Sequence, residues 1–186
     1  MNRFLDLMER DPIIPAVKDP DTLEAALTCR CELIFVLCGD ILNIDAIIAR
    51  LHQAGKKAVI HADLVQGLAP KEIAVDFLQR CGADGIISTR PHLIRRGREL
   101  GLGTVLRVFA IDSKAVSNLR REASEGSPDA IEVLPGAMPQ VLSRLSREIH
   151  IPLIAGGLLN EKADVMAALG AGAVCISTSD SKLWEL

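Results

Sequence analysis

One alternation constrains this chain more than any other feature. Eight short apolar runs rich in β-branched residues are each followed by a stretch of helical character or, at the end, by a few residues. The runs are PIIPAVK (12–18), ELIFVLC (32–38), KAVIHAD (57–63), DGIIS (84–88), TVLRVFA (104–110), DAIEVL (129–134), IPLIAGG (151–157) and GAVCIST (172–178). The pattern predicts helices near 20–28, 43–54, 70–80, 91–100, 113–125, 137–149 and 160–169. Gly55, Gly82, Gly101, Gly126 and Gly170 sit where helices should stop, and Asn43 and Asp112 where they should start. Phe4, Leu7 and Met8 follow i, i+3, i+4 spacing, which predicts an extra amino-terminal helix over 2–10. Strands alternating with helices at this spacing form βα units around a parallel sheet.

Eight such units point to an α/β fold, a compact (β/α)8 TIM-type barrel occupying 1–186 as one domain. Barrels of this type usually need about 250 residues, and this chain has 186. The loops must therefore be short. The last segment, SDSKLWEL, has room for only about two turns, a truncated last helix. The alternative is an open doubly wound sheet, but no G-x-G-x-x-G follows the first run. One internal echo favours the barrel. GADGIIST (82–89) resembles GAGAVCIST (170–178) with one residue of slippage, as expected of two half-barrels.

Composition removes several function classes. Hydrophobic residues make up 49% of the chain, which excludes intrinsic disorder. The apolar runs fall far short of the roughly 20 residues that span a bilayer, so no membrane partner is expected. The start, MNRFLDLMERD, carries Asp6, Glu9 and Asp11 in place of an apolar signal region, and the expected location is cytoplasmic. The five cysteines include no C-x-x-C. Cys38 and Cys175 lie inside apolar runs, as buried reduced thiols do, and Cys29 and Cys31 are too close for an easy disulfide. The four histidines, at 52, 61, 92 and 150, are scattered, so neither a metal nor a cofactor is expected. The net charge of −3 argues against a generally basic nucleic-acid binder. Four Phe, one Trp and no Tyr make a base-stacking platform improbable.

A parallel barrel places its chemistry at the carboxyl ends of the strands. Side chains there alternate between the interior and the helices. In KAVIHAD, Ala58, Ile60 and Ala62 should face the helices, which turns Val59, His61 and Asp63 inward. Arg107 shares a face with Val105 and Phe109, and Glu132 with Ala130 and Leu134. Lys18 ends the first run above Ala16. Lys18, His61, Asp63, Arg107 and Glu132 should thus converge on one mouth. Charges inside apolar strands are costly unless paired. Arg107 and Glu132 therefore read equally well as a structural ion pair or as pocket lining. His61 reads more simply as a core histidine, and Asp63 as a turn cap.

The stronger signal lies at the end of the chain. The seventh run closes with Gly156-Gly157 and the eighth with Ser177-Thr178. Loops after strands seven and eight are the usual phosphate grip of this architecture. Adjacent glycines let backbone N–H groups converge on an anion, and a short helix start adds more. Ser177 and Thr178 supply hydroxyls, and Gly136 of the Leu134-Pro135-Gly136 turn closes a third side. The single dense basic stretch is RPHLIRRGR, with Arg90, Arg95, Arg96 and Arg98. Its default reading is a solvated helix face; the alternative is an RNA phosphate contact.

Along nearly the whole chain run the blocks PIIPAVKD (12–19), LCGDILN (37–43), AGKKAVIHADLVQGL (54–68), AVDFLQRCGADGIISTR (74–90), the 107–113 segment, DAIEVLPGAMP (129–139), PLIAGGLL (152–159) and GAVCISTS with Leu183-Trp184. As an ordered set they resemble the glycerol uptake operon antiterminator regulatory proteins. HADLVQGL together with IEVLPGAMP is the specific part. The resemblance implies a regulatory barrel with no enzymatic role. It would sense glycerol 3-phosphate and act on the leader mRNA of glycerol genes, letting transcription pass a terminator. Two rivals stand beside it. An enzyme on the same scaffold would act on a triose- or glycerol-phosphate-like substrate through His61, Asp63 and Glu132. A ligand-binding module would work through a protein partner. In each of these readings the protein could be a homo-oligomer.

Overall fold

The computed structural model describes residues 3–110 and 112–186. Eight parallel strands close on themselves: β1 (Ile13–Val17), β2 (Leu33–Val36), β3 (Lys57–His61), β4 (Gly85–Ser88), β5 (Gly103–Phe109), β6 (Ala130–Leu134), β7 (Leu153–Gly156) and β8 (Cys175–Thr178). Each pairs with the next, and β1 closes the ring against β8, with Ile14 opposite Ser177. The fold is the (β/α)8 barrel that the alternation predicts. The connecting helices are α2 (Pro20–Thr28), α3 (Ile44–Gln53), α4 (Glu72–Arg80), α5 (Pro91–Glu99), α6 (Ser113–Gly126), α7 (Pro139–Glu148) and α8 (Lys162–Gly170). No helix among the described residues is long and apolar enough to cross a membrane.

Local chemistry sets most helix boundaries. Asp19 accepts a 2.8 Å bond from the Thr22 N–H, Thr22 Oγ1 accepts from the Asp19 N–H, and Pro20 opens α2. Asp112 caps α6 through the Ala115 N–H at 2.7 Å. Asn43 does not cap α3. Its side-chain oxygen accepts from the Asp40 N–H instead, which folds the β2–α3 loop. Gly126 and Gly170 are the last helical residues of α6 and α8; the left-handed positions fall just beyond, at Ser127 and Gly172.

Strand alternation divides the apolar residues into two layers. Ile14, Ala16, Phe35, Val59, Ile87, Val105, Ala130, Ile154 and Cys175 fill the barrel interior. Ile34, Ala58, Ile60, Ile86, Leu106, Ile131 and Ile176 face the helices. An additional helix, α1 (Arg3–Arg10), places Leu7 and Met8 against the interior layer and Phe4 against Gly103 at the start of β5. It closes the amino-terminal end and leaves the carboxyl end open. Residue 2, the expected start of this helix, lies outside the described residues.

Three expectations change. The last helix is one 3-10 turn (Ser181–Leu183) rather than about two turns. Trp184 takes over the covering role. It is buried and donates from Nε1 to the Thr178 carbonyl at 2.9 Å. Cys38 lies beyond the end of β2 and is only half-buried, whereas Cys175 is fully buried; none of the five thiols is in a disulfide. The internal echo has a different register. Gly82 and Gly172 are both left-handed, Ala83 and Ala173 bond back to Leu78 and Ala168, and Ser88 and Thr178 each accept from the N–H two residues on. The repeat therefore aligns Gly82 with Gly172, without slippage.

Candidate ligand site at the carboxyl end of the barrel

Three charged or polar side chains meet inside the barrel. Arg107 on β5 stands opposite Glu132 on β6 and donates from Nε to Oε2 at 2.5 Å. The other carboxylate oxygen, Oε1, accepts from the Ser177 hydroxyl on β8. That bond reaches past β7 because position 156 has no side chain. A Cβ there would lie 2.6 Å from Glu132 Oε1 and 2.7 Å from Ser177 Oγ. Glu132 is completely buried, so among the described residues the desolvation of its charge is offset by these two partners. Arg107 engages Glu132 through Nε alone, and its Nη groups have no acceptor among the described residues.

His61 ends β3 in the same interior and is 3% exposed. Burial and the charge of Arg107 push its pKa down to about 4, against the opposing pull of Asp63. The imidazole is therefore neutral at physiological pH. Its Nδ1 is buried with no hydrogen-bond partner among the described residues. Asp63 Oδ2 is 3.9 Å away, too far for a hydrogen bond. Asp63 is engaged elsewhere, accepting from the Ser88 hydroxyl and from the N–H and hydroxyl of Thr89, with Arg90 Nε at 3.4 Å.

The β7 and β8 loops adjoin through the Gly156–Ser177 pairing. Gly157 and Leu158 are both left-handed, with φ of 75° and 57°. Leu158 is also exposed, an unfavourable combination for a leucine. The backbone N–H groups of Gly157, Leu158, Ser179 and Ser181 have no acceptor among the described residues. These four donors lie on two neighbouring loops at the open end of the barrel, an arrangement suited to an anion.

The structure gives the other expected site residues different tasks. The hydroxyl proton of Ser177 goes to Glu132. The Thr178 hydroxyl oxygen accepts from the Asp180 N–H. Buried Gly136 donates its N–H to the carbonyls of Gly156 and Gly157, so it fastens the glycine loop from behind. The donors that remain, on Leu158, Ser179 and Ser181, carry no sequence signal beyond their position after the strands. Lys18 is exposed and lines a cleft of about 480 Å3 with Cys38, Asp40 and Gln66, between the β1–α2 and β2–α3 loops.

The basic stretch runs from Arg90, just before α5, along that helix, and most of its charge is paired. Arg90 lies near Asp63, Arg95 is 3.5 Å from Glu72, and Arg96 binds Asp76 at 2.6 Å and Glu99 at 2.9 Å. Arg98 donates to the Ser127 carbonyl. Arg90 and Arg95 nevertheless remain about half-exposed. Among the described residues no group of three or more His, Cys, Asp or Glu is placed to hold a metal.

The family model described as glycerol-3-phosphate responsive antiterminator matches residues 13–184, from β1 to Trp184. The chain belongs to that antiterminator family. Two solved structures agree. The glycerol uptake operon antiterminator regulatory protein from Listeria monocytogenes has a TM-score of 0.90 and 34% identity, covering 93% of this chain and 94% of the other. A glycerol uptake operon antiterminator-related protein from Thermotoga maritima has a TM-score of 0.84 and 34% identity, covering 95% and 99%. The protein YgcP of Escherichia coli K12 is 40% identical over 184 residues, 98% of this chain and 96% of that one. A deoxyribose phosphate aldolase from Aeropyrum pernix shares the barrel at 17% identity, a likeness of fold alone. The family is thus one of antiterminators built on a (β/α)8 barrel.

Proposed function

We propose that this antiterminator-family barrel is a cytoplasmic sensor of glycerol 3-phosphate that acts on the leader mRNA of glycerol-use genes. The observation that carries the ligand half is the set of free backbone donors at Gly157, Leu158, Ser179 and Ser181. The phosphate would sit on them. Gly156 and Gly136 hold the loop in place from behind, and Ser177 and Thr178 fix the turn. A regulatory role is also favoured by the state of the carboxylates. Glu132 is tied to Arg107 and Ser177, and Asp63 to Ser88 and Thr89, so neither is free for acid–base work.

A ligand that binds only the folded state stabilises it by mass action, about 2.7 kcal/mol at a hundred times its Kd. Glycerol 3-phosphate should therefore raise the melting temperature by roughly 5–10 °C in a dose-dependent way. Gly157→Val should abolish that shift, because a β-branched residue resists the left-handed φ of 75° on which the donor geometry depends. Gly157→Ala, less strained, should reduce it. Full shifts in both variants would place the anion elsewhere.

For RNA, the proposed contact is the exposed edge of α5, with Arg90 and Arg95 foremost and Arg96 and Arg98 beside them. Phosphate contacts release counterions, so leader-RNA affinity should fall steeply with salt. Changing Arg95 and Arg96 together to Glu should weaken RNA binding and flatten the salt slope. Arg95→Gln alone should do so in part without disturbing the Arg96–Asp76 pair. Glycerol 3-phosphate affinity should be unchanged in both. A gel-shift salt series identical to that of the parent would move the RNA surface off α5.

A further inference from the structure

The imidazole of His61 is the least explained group in the barrel. It is almost fully buried, yet among the described residues its Nδ1 meets no acceptor or donor. Leaving such a group unsatisfied is costly, and native structures rarely do so without a reason. Asp63, the nearest carboxylate, cannot serve it, because Ser88, Thr89 and Arg90 already occupy both its oxygens. On the same interior side, the Arg107 guanidinium presents Nη donors that Glu132 does not use. Both groups project from strands β3 and β5, whereas the anion-binding loops follow β7 and β8. The open end of the barrel thus has two chemically different sides.

We infer that His61 is the residue that reads the hydroxyl groups of the ligand, so that the site selects a polyol phosphate over a simple alkyl phosphate. The inference rests on the phosphate assignment made above. A neutral imidazole donates from one ring nitrogen and accepts on the other, and a hydroxyl does the same, so the two are matched. Neutrality also keeps His61 from competing with the β7–β8 loops for the phosphate. The charge of Arg107 is already balanced by Glu132, which leaves its Nη groups to donate to hydroxyl oxygens without drawing in a second anion. A ligand hydroxyl satisfies the orphaned nitrogen, and an alkyl chain leaves it unsatisfied. This asymmetry gives a site strong power to reject analogues lacking the hydroxyl.

Titration calorimetry with glycerol 3-phosphate, propyl phosphate and inorganic phosphate tests this. The parent protein should bind glycerol 3-phosphate at least about tenfold tighter than propyl phosphate, the factor one satisfied hydrogen bond supplies. His61→Leu should lose about tenfold toward glycerol 3-phosphate alone, with propyl phosphate and inorganic phosphate within twofold of the parent. His61→Gln, which keeps a donor and an acceptor, should recover much of the preference and guards against a folding artefact. A parent protein that binds none of the three overturns the sensor reading itself. A parent that binds glycerol 3-phosphate, with His61→Leu keeping the full preference, overturns only the role of His61. An equal loss toward all three ligands in both variants also overturns it, since His61 would then support the fold or the phosphate.

Discussion

Replacing Arg107 by Met will destabilise the barrel by about 3–5 kcal/mol at neutral pH, because it leaves the carboxylate of Glu132 buried without its cation. Glu132 is fully enclosed, and once Arg107 is gone only the Ser177 hydroxyl remains as a partner among the described residues. The double variant Arg107→Met/Glu132→Met should recover most of the loss, since apolar groups of similar volume need no counter-charge. Urea denaturation of the two single variants and the double variant gives the coupling directly, and at least about 2 kcal/mol is expected. A single-variant loss below about 1 kcal/mol without coupling would mean that water reaches the pair. The recovered double variant would also separate stability from ligand sensing, since Arg107 carries Nη donors that Glu132 does not use.

The second large effect is acid sensitivity. His61 has a folded pKa of about 4, below the ordinary histidine value near 6.5, because burial and Arg107 oppose its protonation. A depressed histidine leaves stability intact above its unfolded pKa. As pH falls below about 6.5, the unfolded chain takes up a proton that the folded chain refuses, and stability drops until the folded pKa is reached. Between pH 7 and pH 4.5 this one group should cost about 2–3 kcal/mol. The denaturant midpoint of the parent should fall across that window faster than that of His61→Gln. Parallel profiles would show that the imidazole is freely protonated in the folded protein. Ligand binding should show no imidazole titration between pH 5 and 8, only that of the phosphate, whose second ionisation lies near pH 6.

Much of this protein was legible in its sequence because the relevant signals are local. Strand and helix periods are set by neighbouring residues, and eight βα repeats in so short a chain leave a closed barrel as the economical solution. Period-two alternation alone turned His61, Arg107 and Glu132 inward, beside Val59, Val105 and Ala130 of the interior layer. Their adjacent strands left Arg107 and Glu132 equally open to an ion pair or to pocket lining, and the structure pairs them. The helix cap at Asp112 is also local; Asn43, the other expected start, turns to the Asp40 N–H instead.

What the sequence did not reveal depends on closure of the barrel. Glu132 and Ser177 meet across an intervening strand, and Gly156 is the opening between them. That contact takes the hydroxyl which the sequence assigns to the phosphate. The arginines of α5 look free in one dimension, but α4 packs alongside and supplies Glu72 and Asp76. Lys18 lines a cleft with Cys38, Asp40 and Gln66, loop residues that follow the next two strands. The truncated helix shrinks to one 3-10 turn because Trp184 covers the flank instead. Alternation fixes the face on which a side chain lies. The partner it finds there is set by strand stagger and helix packing, which join residues far apart in the chain and are decided only when all eight units close together.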